Sequence, residues 1–263
     1  MLTDTHCHLD FEQFDEDREE VIARALYAGL VRILNPAVDL PTSRRALALA
    51  EKYEFVYAAV GMHPNSALEW TDETTDALRE MAAHPKVVAI GEIGLDYYWD
   101  DAPHDVQVYV FRAQLELAAE LGLPVIIHNR EAGMDILPML TDWQAQLAAA
   151  GRPLAKHPGV LHSFSGTEAQ AHQAIAANFY LGVTGPVTFK NAVDLQSLIS
   201  NLPLTQLLIE TDAPYLTPHP FRGKRNEPAR VALVAGKIAE LRSLPLDEVA
   251  RVTGENAARL FGW

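Results

Sequence analysis

Two histidines, His6 and His8, flank Cys7 in the run Leu2-Thr3-Asp4-Thr5-His6-Cys7-His8-Leu9-Asp10. Side chains two apart on extended backbone point to the same face, so one segment can present both imidazoles to a divalent ion. Histidine is the commonest metal ligand, but two imidazoles fill only half of a tetrahedral sphere. Cys7 then faces the other way, toward surrounding helices, and reads as a buried thiol with no chemical role.

Further ligand types recur along the chain, each at the end of a short apolar run. Val60 leads into Gly61-Met62-His63-Pro64, and Ile90 into Gly91-Glu92-Ile93-Gly94-Leu95-Asp96. Ile127 leads into His128-Asn129-Arg130, Leu161 into His162-Ser163-Phe164, and Ile209 into Glu210-Thr211-Asp212. These apolar runs predict strands over Val31–Leu34, Phe55–Val60, Val87–Ile90, Val125–Ile127, Gly159–Leu161, Phe179–Val183 and Leu207–Ile209, with Leu2–Thr5 as the first. Amphipathic stretches lie between them. In Asp105–Leu121, Phe111, Leu115 and Ala118 share one helical face, and Gly122 is placed as the C-terminal cap. Alternation of eight strands with helices predicts an α/β chain, a single (β/α)8 barrel over residues 1–263. An open doubly wound sheet is the rival, but no Gly-x-Gly-x-x-Gly follows the first strand.

In such a barrel the C-terminal strand ends converge on one mouth. His6, His8, Glu92, His128, His162 and Asp212 would meet there, and unpaired charges so crowded are costly unless metal ions separate them. Four imidazoles and two carboxylates exceed one tetrahedral ion and suit two. Glu92, on a middle strand, is placed to bridge them. Asp212, on the last strand, would border the first and could ligate an ion and take the proton of an attacking water. The imidazole-rich set favours Zn²⁺ or Mn²⁺ over Mg²⁺, which prefers oxygen ligands.

The remaining polar residues divide by position. His63, Arg130, Glu210, Lys224 and Arg225 are candidates for contact with substrate, the three cations for holding a phosphate. Asp96 is expected to orient a loop or a ligand imidazole. Tyr97, Tyr98 and Trp99 follow Glu92 as an aromatic run able to stack on a base or on neighbouring loops. His84, His104, His172 and His219 read as surface residues, and His157, preceding its strand, falls at the opposite end of the barrel.

Composition sets limits on the substrate. The chain has 263 residues, 49% hydrophobic and 21% charged, with a single cysteine. No apolar stretch is long enough for a membrane span and no signal peptide opens the sequence, so a cytoplasmic, disulfide-free protein is expected. Net charge is −14. That field disfavours a broad nucleic-acid groove and leaves room for a local site whose positive charge comes from metal. Nothing calls for an obligate protein partner.

His6-Cys7-His8, Gly61-Met62-His63-Pro64, Gly91-Glu92-Ile93-Gly94-Leu95-Asp96-Tyr97, His162-Ser163-Phe164-Ser165-Gly166 and Glu210-Thr211-Asp212-Ala213-Pro214-Tyr215-Leu216 resemble the signature blocks of the TatD family. These are metal-dependent deoxyribonucleases among the amidohydrolase barrels. The likeness continues through Arg222-Gly223-Lys224-Arg225-Asn226-Glu227-Pro228 to the closing Asn256-Ala257-Ala258-Arg259-Leu260-Phe261. It implies a (β/α)8 fold and His6, His8, Glu92 and Asp212 around one ion, with Glu92, His128 and His162 around a second. Mg²⁺ joins Mn²⁺ and Zn²⁺ as a cofactor on the same ground. The implied activity is 3′–5′ exonuclease action on single-stranded DNA ends, with RNA as a second substrate. Ser163 departs from the family pattern, which often has Cys. The ligand set alone equally allows ester or amide hydrolysis, as by an aminoacyl-tRNA deacylase or lactonase. A non-catalytic barrel that binds metal or a partner is a third reading.

Overall fold

A computed structural model describes all residues 1–263. Eight strands form one parallel sheet in sequential order: β1 Leu2–Asp4, β2 Leu30–Pro36, β3 Val56–Val60, β4 Val87–Asp96, β5 Val125–Arg130, β6 Gly159–Leu161, β7 Tyr180–Val183 and β8 Leu207–Ile209. Helices α1 Arg18–Tyr27, α2 Leu40–Lys52, α3 Asp72–Ala82, α4 His104–Leu121, α5 Gly133–Ala149, α6 Glu168–Ala176 and α7 Val193–Asn201 alternate with them. The last strand is followed by α8 Val231–Arg242 and α9 Leu246–Phe261. This is the expected (β/α)8 barrel. No helix is long and apolar enough to cross a membrane.

The barrel is closed at its C-terminal rim by chain just beyond β1 and β8. Thr5 N donates to Ile209 O, Asp212 N to His6 O at 2.8 Å, and His8 N to Ala213 O at 2.8 Å. This seam brings the last strand's acid beside the first strand's histidines, as barrel closure requires. Cys7, buried between the two imidazoles, pairs across it with Ala213. Burial pushes the Cys7 thiol well above its usual range, which leaves it protonated and inert.

Alternate residues along the strands serve two cores. Leu34, Ala59, Ile126, Val160, Tyr180 and Leu208 fill the barrel, and Ala257, Leu260 and Phe261 of α9 pack with them. The other face joins the larger core under the helices, with Ile33, Val56, Ile127, Leu161, Leu181 and Leu207. A filled interior makes the strand ends the floor of a bowl instead of the mouth of a pore.

Local signals match the helix ends. Asp39 caps α2 through Thr42 N at 2.7 Å, with the reciprocal Thr42 bond completing a capping box. Gly122 ends α4 in the left-handed region at φ 71°. The largest difference is β4, which continues six residues beyond the predicted Ile90 to Asp96. Gly91 and Gly94 read as a break in the sequence, but both are packing devices. A Cβ on Gly91 would lie 2.6 Å from Ile126 Cβ, and one on Gly94 would lie 2.0 Å from His128 O. The ladder shifts register between Ile90 and Ile93 and carries on. Glu92 therefore lies within a buried strand, and Asp96 ends it. β5 likewise runs on through His128 to Arg130.

Candidate active site

Donor atoms crowd the floor of the bowl. His6 Nε2 and His8 Nε2 lie 3.2 Å apart. Glu92 Oε2 is 3.3 Å from the first and 3.7 Å from the second, and Asp212 Oδ1 is 3.7 and 3.5 Å from them. In a tetrahedral site with metal–nitrogen bonds of about 2.0–2.1 Å, neighbouring donors stand roughly 3.3 Å apart. His6, His8 and Asp212 fit a divalent ion on this measure, and Glu92 Oε2 lies against both imidazoles.

Glu92 turns its other oxygen to a second set of imidazoles. Oε1 lies 2.9 Å from His128 Nδ1, 3.8 Å from His162 Nε2 and 4.0 Å from His63 Nε2. Compact ligand groups accordingly form as His6, His8 and Asp212; His6, Glu92 and His162; and His63, Glu92 and His128. The trio of Glu92, His128 and His162 that the family resemblance implies is not one of them. His128 is drawn toward Asp96, whose Oδ2 lies 3.0 Å from its Nε2, and packs edge-on against His63 at 4.2 Å.

His8 and His162 are oriented from behind, whereas His6 Nδ1 is buried without a partner. His8 Nδ1 donates to Pro36 O at 3.1 Å, which leaves Nε2 free for the bowl. His162 Nδ1 meets Glu210 Oε1 at 2.9 Å, and His6 stacks on His162 at 3.5 Å. Asp212 has φ 55°, a left-handed conformation held by its N–H bond to His6 O.

Burial opposes ionisation of Glu92, but His6, His162 and His128 outweigh it and hold its carboxyl well below the usual range. Asp212 follows the same pattern through His162 and His8. Burial also works against charge on His162, yet Glu210, Glu92 and Asp212 push it up to about 10. Burial and neighbouring His128 bring His63 down to about 3. The site thus holds anionic carboxylates among imidazoles of mixed charge, and an ion that takes His162 must displace its proton.

The bowl opens into a cavity of about 620 Å³. His8, His63, Glu92, His128, Arg130, His162 and Asp212 reach it. His6 lies fully buried beneath. Three of the expected substrate residues fall elsewhere. Glu210 is fully buried behind His162, also accepts from Ser163 N, and does not line the cavity. Gly182 makes this possible, because a Cβ there would lie 2.2 Å from the Glu210 carboxylate. Arg225 forms a two-pronged pair with Asp17 at 2.8 and 2.7 Å, which ties the loop after β8 to the start of α1. Lys224 is exposed on the turn closed by Thr217 Oγ1 bonding to its carbonyl, outside the cavity. Asp96 does both things expected of it: besides His128 it accepts from Tyr98 N and Trp99 N.

Phe11, Tyr215, Asn65 and Ser66 also line the cavity and had no sequence reading. Their signal is positional. Phe11 and Tyr215 each follow a ligand candidate by three residues, and Asn65 and Ser66 follow His63. His157 sits before β6, within 3.3 Å of Tyr180 Oη and away from the bowl. His104, His172 and His219 are exposed, and His84 is half-buried.

The model for TatD related DNases matches residues 3–262. YabD of Bacillus subtilis, named as an uncharacterized metal-dependent hydrolase, is 49% identical over 261 residues, 99% of each chain. The 3′-5′ ssDNA/RNA exonuclease TatD of Cronobacter sakazakii is 38% identical over 265 residues, 99% of this chain and 97% of its own. The crystal structure of YJJV, a TatD homolog from Escherichia coli K12, superposes with a TM-score of 0.91 at 37% identity, covering 100% of this chain and 98% of that one. With these likenesses spanning the whole barrel and its ligand cluster, the chain belongs to the TatD family and is a metal-dependent hydrolase.

Proposed function

We propose that this hydrolase cleaves phosphodiester bonds of DNA, working from the 3′ ends of single strands, with RNA as a second substrate, in the cytoplasm. The observation that carries the reading is the division of Glu92, one oxygen toward His6 and His8 and the other toward His128, His162 and His63. A carboxylate so placed suits a pair of ions, with His6, His8 and Asp212 on one side and His162 or His128 on the other. Two bound ions of Mg²⁺, Mn²⁺ or Zn²⁺ would supply water activation and neutralise the charge that builds on phosphate. The name of the Cronobacter relative points to the same bond class.

The chain's own residues have separate tasks in this reading. Asp212, 13% exposed where the floor meets the cavity, takes the proton of the attacking water on Oδ2, the oxygen not turned to His6 and His8. Arg130 at the rim pairs with a phosphate oxygen. Glu210 and Asp96 keep His162 and His128 in the orientation that ligation requires.

The test is digestion of single-stranded oligonucleotides labelled at either end. Stepwise release of mononucleotides from the 3′ end is expected, reduced at least about 100-fold in Glu92→Ala and Asp212→Ala. Intact DNA and RNA, alongside cleavage of carboxylic esters by the same metal-loaded protein, would replace the nuclease reading with acyl hydrolysis.

A further inference from the structure

The loop after β4 carries an aromatic surface that hydrolysis itself does not require. Tyr98 and Trp99 are each 48% exposed, and Trp99 lines the cavity. The backbone of the loop is tied down beneath these rings. Asp96 Oδ1 accepts from Tyr98 N at 3.0 Å and Trp99 N at 3.2 Å. Tyr97 stacks on His104 at 3.8 Å and donates its hydroxyl to Asp135 at 2.8 Å. Arg130 lays its guanidinium over Tyr98 at 3.9 Å and reaches Trp99 at 5.5 Å. The result is a fixed wall with a free aromatic surface at the cavity.

Charge decides what such a wall can hold. Arg130 is the only Lys or Arg lining the cavity. Arg130 and metal at the floor would hold phosphate without sensing the base, whereas base–aromatic stacking senses it. The bowl floor fixes where the phosphate goes, and the Trp99 wall stands beside it at the end of the strand that carries Glu92.

We infer that Trp99, braced by Arg130, is the platform for the nucleobase adjoining the scissile phosphate. The inference rests on the nuclease reading above and adds how the substrate is recognised. Stacking uses the face common to all bases, so the platform separates base-bearing from base-free sugar phosphate and does little to separate one base from another. It also demands a base out of its duplex stack, which gives single strands their advantage.

Tryptophan fluorescence of the metal-loaded protein, titrated with dAMP and in competition with deoxyribose 5-phosphate, tests this without any cleavage step. Trp70, Trp143 and Trp263 do not line the cavity, so quenching reports Trp99. The expected result is saturable quenching by dAMP, with dAMP held roughly tenfold more tightly than the sugar phosphate. Trp99→Ala should erase that preference and leave deoxyribose 5-phosphate affinity unchanged, and Trp99→Phe should restore the preference without the quenching. Equal affinities in the unsubstituted protein would overturn the platform, as would a preference that survives Trp99→Ala or is lost in Tyr215→Ala instead. Stacking with intact DNA would remove the nuclease reading alone; DNA digestion with no preference for dAMP would remove the platform alone.

Discussion

Glu210 is a carboxylate that does its work without reaching the cavity. Its Oε1 holds His162 Nδ1 at 2.9 Å, and its side chain occupies space left by the missing Cβ of Gly182. A buried acceptor behind a ligand imidazole fixes its tautomer and raises its basicity. Glu210→Gln is expected to weaken metal affinity and activity by about 10–100-fold, with the loss partly rescued at high metal concentration. A metal-titration curve of activity checks this: an undiminished midpoint would mean that His162 needs no such support. At this scale the sequence was informative where chemistry was periodic. His6, His8, Glu92, His128, His162 and Asp212 could all be named from their places after apolar runs. Glu210 was expected to share the face of Asp212 and meet substrate, because two carboxylates two residues apart point the same way on a strand. The left-handed turn at Asp212, φ 55°, is what sends one into the bowl and leaves the other behind His162.

Elements decide which charges are free to meet a substrate. The loop after β8 carries Arg225, whose type and neighbourhood suggested a phosphate contact. Its guanidinium is instead committed to Asp17 at the start of α1, while Arg24 of α1 reaches back to Glu227 at 2.9 Å. Pairing partners more than 200 residues away in sequence are invisible to local pattern. Both pairs are partly exposed, so each contributes about 1 kcal/mol or less. Arg225→Ala is expected to lower the thermal midpoint by about 2–4 °C and to leave KM for an oligonucleotide within about twofold. Thermal melting and steady-state kinetics on the same preparation decide it; a large rise in KM at unchanged stability would return Arg225 to the substrate. The strands were legible from apolar runs, and β3, β6, β7 and β8 end where those runs end, whereas β1, β2, β4 and β5 end elsewhere. In β4 the interruptions are Gly91 and Gly94, which let Ile126 and the His128 carbonyl approach the strand without ending it.

At the scale of the whole molecule, charge and closure pull in different directions. Net charge of −14 repels a polyanion from most of the surface, while barrel closure collects six ligand candidates at one end. Arg130 is the only Lys or Arg at the cavity. Binding of single-stranded DNA should therefore release few counterions, with log affinity against log salt falling with a slope of about −1 or shallower. Fluorescence anisotropy of a labelled oligonucleotide across salt concentrations measures it, and a slope of about −4 would place an extended phosphate track on the protein. The barrel class was readable from eight alternating strands and helices. The meeting of the last strand with the first was expected from closure, but the individual bonds of Thr5, His8 and Asp212 were not, because they join segments far apart in sequence. If Glu92 serves two ions at once, metal content will show it. Elemental analysis of the protein, saturated with Zn²⁺ or Mn²⁺ and freed of excess, should find about two ions per chain and about one or fewer in Glu92→Ala. Fewer than one ion per chain in the unsubstituted protein, with no activation by added Mn²⁺ or Mg²⁺, would contradict the account.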